Sequence, residues 1–233
     1  MERLNYKKIV ISISDFVIWS LEIPALNYDI LASFIGATAA LAMAPGPDNM
    51  YVLMQSLVHG KKYGMATVLG LVSGCLIHTS LLAFGVSALI KQHAGIFFII
   101  KLFGAAYLLF LAYNVFKLNG TLELSEKGIP KKNTMALFKQ GFLMNVLNPK
   151  VSIFFLAFYP GFLFSDALSL TLQFYVLGFL FMGVSFVIFS ALTILSGTIS
   201  ERIKENVHLG VYIKWLQIVV FVSIAIYLLL SDK

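Results

Sequence analysis

Residues 44–49 read Ala44-Pro45-Gly46-Pro47-Asp48-Asn49, and they lie inside an apolar run of about Ile30–Leu57. A proline within a helix removes one backbone donor and collides with the carbonyl four residues before it. Pro45 and Pro47 are therefore expected to free the carbonyls of Leu41 and Met43, and Gly46 between them further disfavours continuous helix. The surrounding run exceeds the roughly 20 residues that a helix needs to cross a bilayer. In hydrocarbon, freed backbone groups persist only where other groups or a water-filled cavity satisfy them. The stretch thus reads as a membrane helix broken beside a carboxylate.

Five further runs have spanning length: about Ala66–Ile90, Ala94–Phe116, Leu137–Phe164, Leu168–Leu195 and Gly210–Leu230. Short polar breaks separate them, such as His59-Gly60-Lys61-Lys62 and Glu201-Arg202-Ile203-Lys204-Glu205. Only 12% of residues are charged and mean hydropathy is +0.89, too little charge to cover a soluble surface of this size. The expected fold is an all-α membrane protein with six transmembrane helices as two inverted three-helix repeats, helices one and four being broken at prolines. Residues 28–118 form the first half, 119–135 a cytoplasmic linker and 136–233 the second half. Residues 1–27 stand apart as an N-terminal extension. Its apolar stretch Ile9–Ile23 holds Asp15 and Glu22, which are costly in hydrocarbon, and no small-residue cleavage site follows it. Two readings stay open there: an extra or interfacial helix, and a start assigned too far upstream of Leu26.

Basic residues set the orientation. Lys61, Lys62, Lys117, Lys127, Lys131, Lys132, Lys139, Arg202, Lys204 and Lys214 fall at the loops after runs one, three and five, whereas Lys91, Lys101 and Lys233 fall on the other side. The excess marks the cytoplasmic face and accounts for the net charge of +6 without any nucleic-acid partner.

A second break, Asn145-Val146-Leu147-Asn148-Pro149-Lys150, interrupts the fourth run, and Pro149 is expected to free the carbonyl of Asn145. Pro45 and Pro149 each follow a phenylalanine, Phe34 or Phe138, by 11 residues. Paired breaks in corresponding positions of inverted halves point to a transport site at the midplane. The acidic Asp48 is the one carboxylate deep within the six-run core, and an ionisable group there is functional by default. It either titrates or pairs with Lys150 to lock helix one to helix four. His78 is a candidate proton relay, or a tie to a neighbouring helix. Gln55, Asn114 and Gln173 are expected to join helices by hydrogen bonds, and Gly36, Ala37, Ala40, Gly70 and Gly74 to let helices approach. Phe97-Phe98 and Phe154-Phe155 read as lipid-facing or packing surface.

The single cysteine, Cys75, precludes a disulfide framework within the chain. Four scattered histidines give no metal cluster, and neither a phosphate loop nor a nucleophile elbow occurs. Neither an enzyme nor a cofactor-dependent protein is expected.

Pro45-Gly46-Pro47-Asp48-Asn49, Gly104-Ala105-Ala106-Tyr107-Leu108 and Asn145-Val146-Leu147-Asn148-Pro149-Lys150 together resemble the signature of the lysine-exporter family (LysE/RhtB type), in order and spacing, over about residues 28–231. The resemblance implies a bacterial inner-membrane, multi-pass secondary transporter that exports amino acids by proton antiport. The leading 27 residues depart from it, since members usually begin just before the first helix. With the broken-helix reading, it makes Pro45, Gly46, Pro47, Asn49, Asn145, Asn148, Pro149 and Lys150 candidate substrate contacts, and Asp48 and His78 candidates for proton coupling. Expected partners are a small amino acid, protons and the bilayer, with homo-oligomerisation open. A neutral amino acid of the threonine, homoserine or leucine kind is favoured over lysine, because Asp48 is committed to the proton and Lys150 adds positive charge. Met43, Met50, Val146 and Leu147 are expected around its side chain. A cation exporter and a non-transporting scaffold are the alternatives.

Overall fold

The structure is a computed structural model and describes residues 26–44, 46–87, 94–117, 131–205 and 208–230. The N-terminal extension up to residue 25, Pro45 and most of the linker therefore lie outside the described residues. The regular structure among those described is all helix, in the order α1 (Tyr28–Met43), α2 (Pro47–His59), α3 (Lys61–Leu81), α4 (Ala94–Lys117), α5 (Thr134–Val146), α6 (Pro149–Phe158), α7 (Leu170–Ile194), α8 (Ser196–Glu205) and α9 (Leu209–Leu230). A π turn, Leu82–Val86, prolongs α3, and a 3-10 turn, Tyr159–Phe162, prolongs α6.

Among the described residues, four stretches are long and apolar enough to cross a membrane: Lys61–Val86, Phe98–Lys117, Leu170–Ile194 and Gly210–Leu230. The number becomes six where α1 with α2, and α5 with α6, each count as one span; the second pair bends by 51°.

Side-chain caps explain several helix starts. Asn27, Asn133 and Ser169 accept from Ile30 N, Ala136 N and Leu172 N at 3.1, 2.7 and 3.3 Å. Each satisfies one of the donors that a helix start leaves open. Between α2 and α3 the corner is Gly60 alone, at φ 101°, a conformation that side chains with a Cβ rarely adopt.

Helices α3 and α5 make the closest crossing. A Cβ on Gly70 would lie 2.0 Å from Phe138 O, and one on Gly141 would lie 2.4 Å from Thr67 O. Backbone meets backbone here, which is how small residues bring membrane helices together. Gly74 continues the seam, but Gly36 is exposed with nothing around it. A second pairing joins α4 to α9, while α7 packs on α1, α2 and α3. The core between them is aromatic: Phe34 meets Tyr159 edge-on at 5.0 Å, and Phe155 stacks on Tyr159 at 4.2 Å. Phe154 and Phe155 are thus buried packing residues, whereas Phe98 is 65% exposed.

Some expectations are corrected. The polar Glu201–Glu205 break still separates runs five and six but is itself helical, within α8, because its residues favour helix and Ser196 and Ser200 supply a buried face one turn apart. Asn114 is exposed on α4 and joins no other helix among the described residues. Gln173 clamps the α6–α7 loop instead of a helix: its Oε1 accepts from Phe164 N and Ser165 N, and its Nε2 donates to Ser165 O and Leu168 O.

Candidate functional site

Helices α2 and α6 both begin with proline, Pro47 and Pro149, at a position where the missing N–H would have had no helical partner. Asn148 caps α6 by accepting from Lys150 N at 3.0 Å. Its amide Nδ2 donates across to Asp48 Oδ2 at 2.8 Å, so the cap of one helix holds a carboxylate in the first turn of the other. An acid in that turn also suits the positive end of the helix dipole. Asn49 Nδ2 donates to Ala42 O at 2.8 Å, which satisfies a carbonyl that the end of α1 leaves open.

The Asn145 carbonyl, at the end of α5, accepts from Asn148 N at 3.0 Å and lies 3.2 Å from His78 Nε2. A carbonyl only accepts, so Nε2 carries the hydrogen in this contact. The His78 ring also packs on Phe155 at 5.3 Å. His78 therefore ties α3 to the broken end of α5.

These elements line a partly open cavity of about 40 Å³, room for roughly three waters. Of the expected residues, Gly46, Pro47, Asp48, Asn49, Asn145, Asn148 and Lys150 line it. Pro149 is exposed and His78 is engaged as above; neither is among the lining residues. Pro45 lies outside the described residues. Asp48 is only 9% exposed, and Asn145 Oδ1 is buried without a hydrogen-bond partner.

Lys150 is half-buried, and its ammonium sits 5.1 Å from the centre of the Phe221 ring, a cation–π contact. No Asp48–Lys150 ion pair forms among the described residues; Asp48 takes its hydrogen bond from Asn148 instead. A cation in the first turn of a helix opposes the dipole, so Lys150 is better placed to meet an anion than to stabilise α6.

The apolar part of the wall differs from expectation. Met43 and Leu147 are 54% and 74% exposed, and neither Met50 nor Val146 lines the cavity. The wall comes from Leu41 and Ala42 of α1, Leu71, Val72 and Cys75 of α3, Val151 of α6, and Phe181, Ser185 and Phe189 of α7. Helix α7 was silent in the sequence because it is apolar on every side, which hides the face turned inward.

The sequence profile of the LysE type translocator family matches residues 39–232. The chain is 31% identical over 141 residues to the uncharacterized membrane protein YrhP of Bacillus subtilis, covering 57% of this chain and 67% of that one. It is 29% identical over 181 residues to the leucine efflux protein of Klebsiella pneumoniae, covering 78% and 84%. With the homoserine/homoserine lactone efflux protein of Salmonella typhimurium it shares 27% over 172 residues, covering 74% and 82%. No solved structure matches. A profile that spans most of the chain, both helix breaks included, makes this protein a member of the LysE type translocator family.

Proposed function

We propose that this protein exports neutral amino acids across a bacterial inner membrane in exchange for protons, with Asp48 carrying the proton. The observation that carries the reading is the hydrogen bond from Asn148 to Asp48, which joins the two helix starts at the cavity. Ionised, Asp48 receives a charge-assisted bond and holds α2 to α6; protonated, it holds them less strongly. Proton uptake thereby loosens the junction between the two halves, and the cavity, too small for a whole amino acid as it stands, opens.

The substrate's polar ends have complementary partners. Lys150 and the positively polarised start of α6 suit a carboxylate, and the unpartnered Asn145 Oδ1 suits an ammonium. The relatives named for leucine and for homoserine efflux support a neutral solute, and so does the cavity: Asp48 is the acid among its lining residues and Lys150 a cation. An unpaired charged side chain would be expensive there.

We further propose six spans in two inverted three-helix halves, with α1–α2 and α5–α6 each crossing once. The first turns of α2 and α6 meet at one cavity, which supports corresponding positions in the two halves. The basic ends also gather: Lys131 sits over Tyr63 and Lys214 over Phe116, at 5.6 and 5.2 Å, while α8 touches α2, α7 and α9. Away from them, Asn27 N donates to Phe164 O at 2.9 Å, beside Asp29 and Asp166. Such sorting of charge supports a cytoplasmic face at the lysine-rich end.

Counterflow in proteoliposomes tests the reading. Vesicles preloaded with homoserine, threonine or leucine should take up the same labelled solute, whereas vesicles preloaded with lysine should not take up lysine. Counterflow of lysine or arginine alone would overturn the neutral-solute reading, and flux of inorganic cations unaffected by amino acids would favour a cation exporter.

A further inference from the structure

Phe181, Ser185 and Phe189 recur every four residues along α7, and all three border the cavity. Residues four apart share one helix face, so this face is the wall that α7 contributes. The two rings are held from behind. Phe181 meets Phe155 edge-on at 4.9 Å, and Phe189 packs against Val52, Val68 and Leu71. Between the rings sits the Ser185 hydroxyl, in a residue only 2% exposed.

A serine or threonine within a helix ordinarily donates to the carbonyl four residues back. Ser56, Ser73 and Thr79 do so, at 2.7, 2.7 and 2.9 Å. Ser185 makes no such bond and has no hydrogen-bond partner among the described residues. A buried hydroxyl without a partner is costly unless something in the cavity supplies one. Asn145 Oδ1 is buried without a partner, and Asn145 lines the same cavity, so two side chains from different helices offer spare hydrogen-bonding capacity to one small space.

We propose that Phe181, Ser185 and Phe189 form the subsite for the transported amino acid's side chain, and that Ser185 Oγ recognises a hydroxyl on it. The inference rests on the amino-acid export reading and deepens it. The two rings bound a slot for a short chain, and Ser185 selects a hydroxylated one over an apolar one of the same shape. Sites built to hydrogen-bond a substrate hydroxyl discriminate against analogues that lack it.

Homoserine and norvaline differ by a hydroxyl in place of a methyl, so the ratio of their counterflow rates isolates this contact. Each ratio is read within one preparation of proteoliposomes, which cancels differences in protein yield. The wild type should prefer homoserine, Ser185→Ala should lower the ratio about tenfold, as loss of one hydrogen bond predicts, and Ser185→Thr should keep it. An unchanged ratio in Ser185→Ala, or no preference in the wild type, overturns the subsite. Wild-type vesicles that exchange neither amino acid would overturn the export reading as well.

Discussion

Asn148 Nδ2 lies 2.8 Å from Asp48 Oδ2, so a single hydrogen bond ties the start of α6 to the first turn of α2 across 100 residues of sequence. The same asparagine caps its own helix through Oδ1, and its two jobs use the two ends of one amide.

Exchanging the partners tests that tie. Asn148→Asp keeps a good cap but sets a second carboxylate beside Asp48, so folded yield and transport should both fall. Asp48→Asn in the same chain restores a donor facing an acceptor with their roles reversed. The double variant should recover most of the lost yield, measured by size-exclusion chromatography in detergent. A double variant no better than Asn148→Asp alone would contradict the contact.

Lys150 rests on Phe221 and forms no ion pair with Asp48, so its removal strands no buried partner. Lys150→Met should keep yield and melting temperature near wild type while abolishing amino-acid counterflow. A large loss of yield that Asp48→Asn then repairs would instead reveal an Asp48–Lys150 pair.

His78 donates to the carbonyl of Asn145, and a glutamine amide placed there can donate similarly. His78→Gln should retain proton-driven export within a few-fold, and His78→Ala should lower stability by about 0.5–1.5 kcal/mol by removing one of that carbonyl's donors while Asn148 N remains. Loss of proton coupling in His78→Gln, with exchange intact, would make His78 a relay.

Gly141→Ala pushes a methyl against Thr67 O in the α3–α5 seam and should destabilise by about 1–3 kcal/mol. Gly183→Ala, on α7, meets open space and should be neutral or slightly stabilising. Thermal unfolding in detergent compares the two. Equal melting temperatures would mean that α3 and α5 do not touch as described.

Much of the polar half of the site was legible because proline, glycine, asparagine and aspartate are rare in apolar runs and say what the backbone does there. Pro149 announced an open Asn145 carbonyl, and His78 and Asn148 are found at it. At the other break the carbonyl met by a side chain is that of Ala42, one residue from either expected position. The apolar half was not legible. Met43 and Leu147 are near the breaks in sequence yet point away, while Phe181, Ser185 and Phe189 reach the cavity from a helix with no polar face to orient it. Gly36 and Gly70 look alike in sequence, but only Gly70 meets a neighbouring backbone, a distinction that tertiary packing alone makes.

On the proposed mechanism, the Asp48 carboxylate couples amino-acid export to the proton gradient. Purified Asp48→Asn in proteoliposomes, beside wild type, separates coupling from binding. The variant should still exchange labelled homoserine for unlabelled homoserine but no longer concentrate it when a pH gradient is imposed. Accumulation by Asp48→Asn at the wild-type rate under that gradient would rule out Asp48 as the proton carrier.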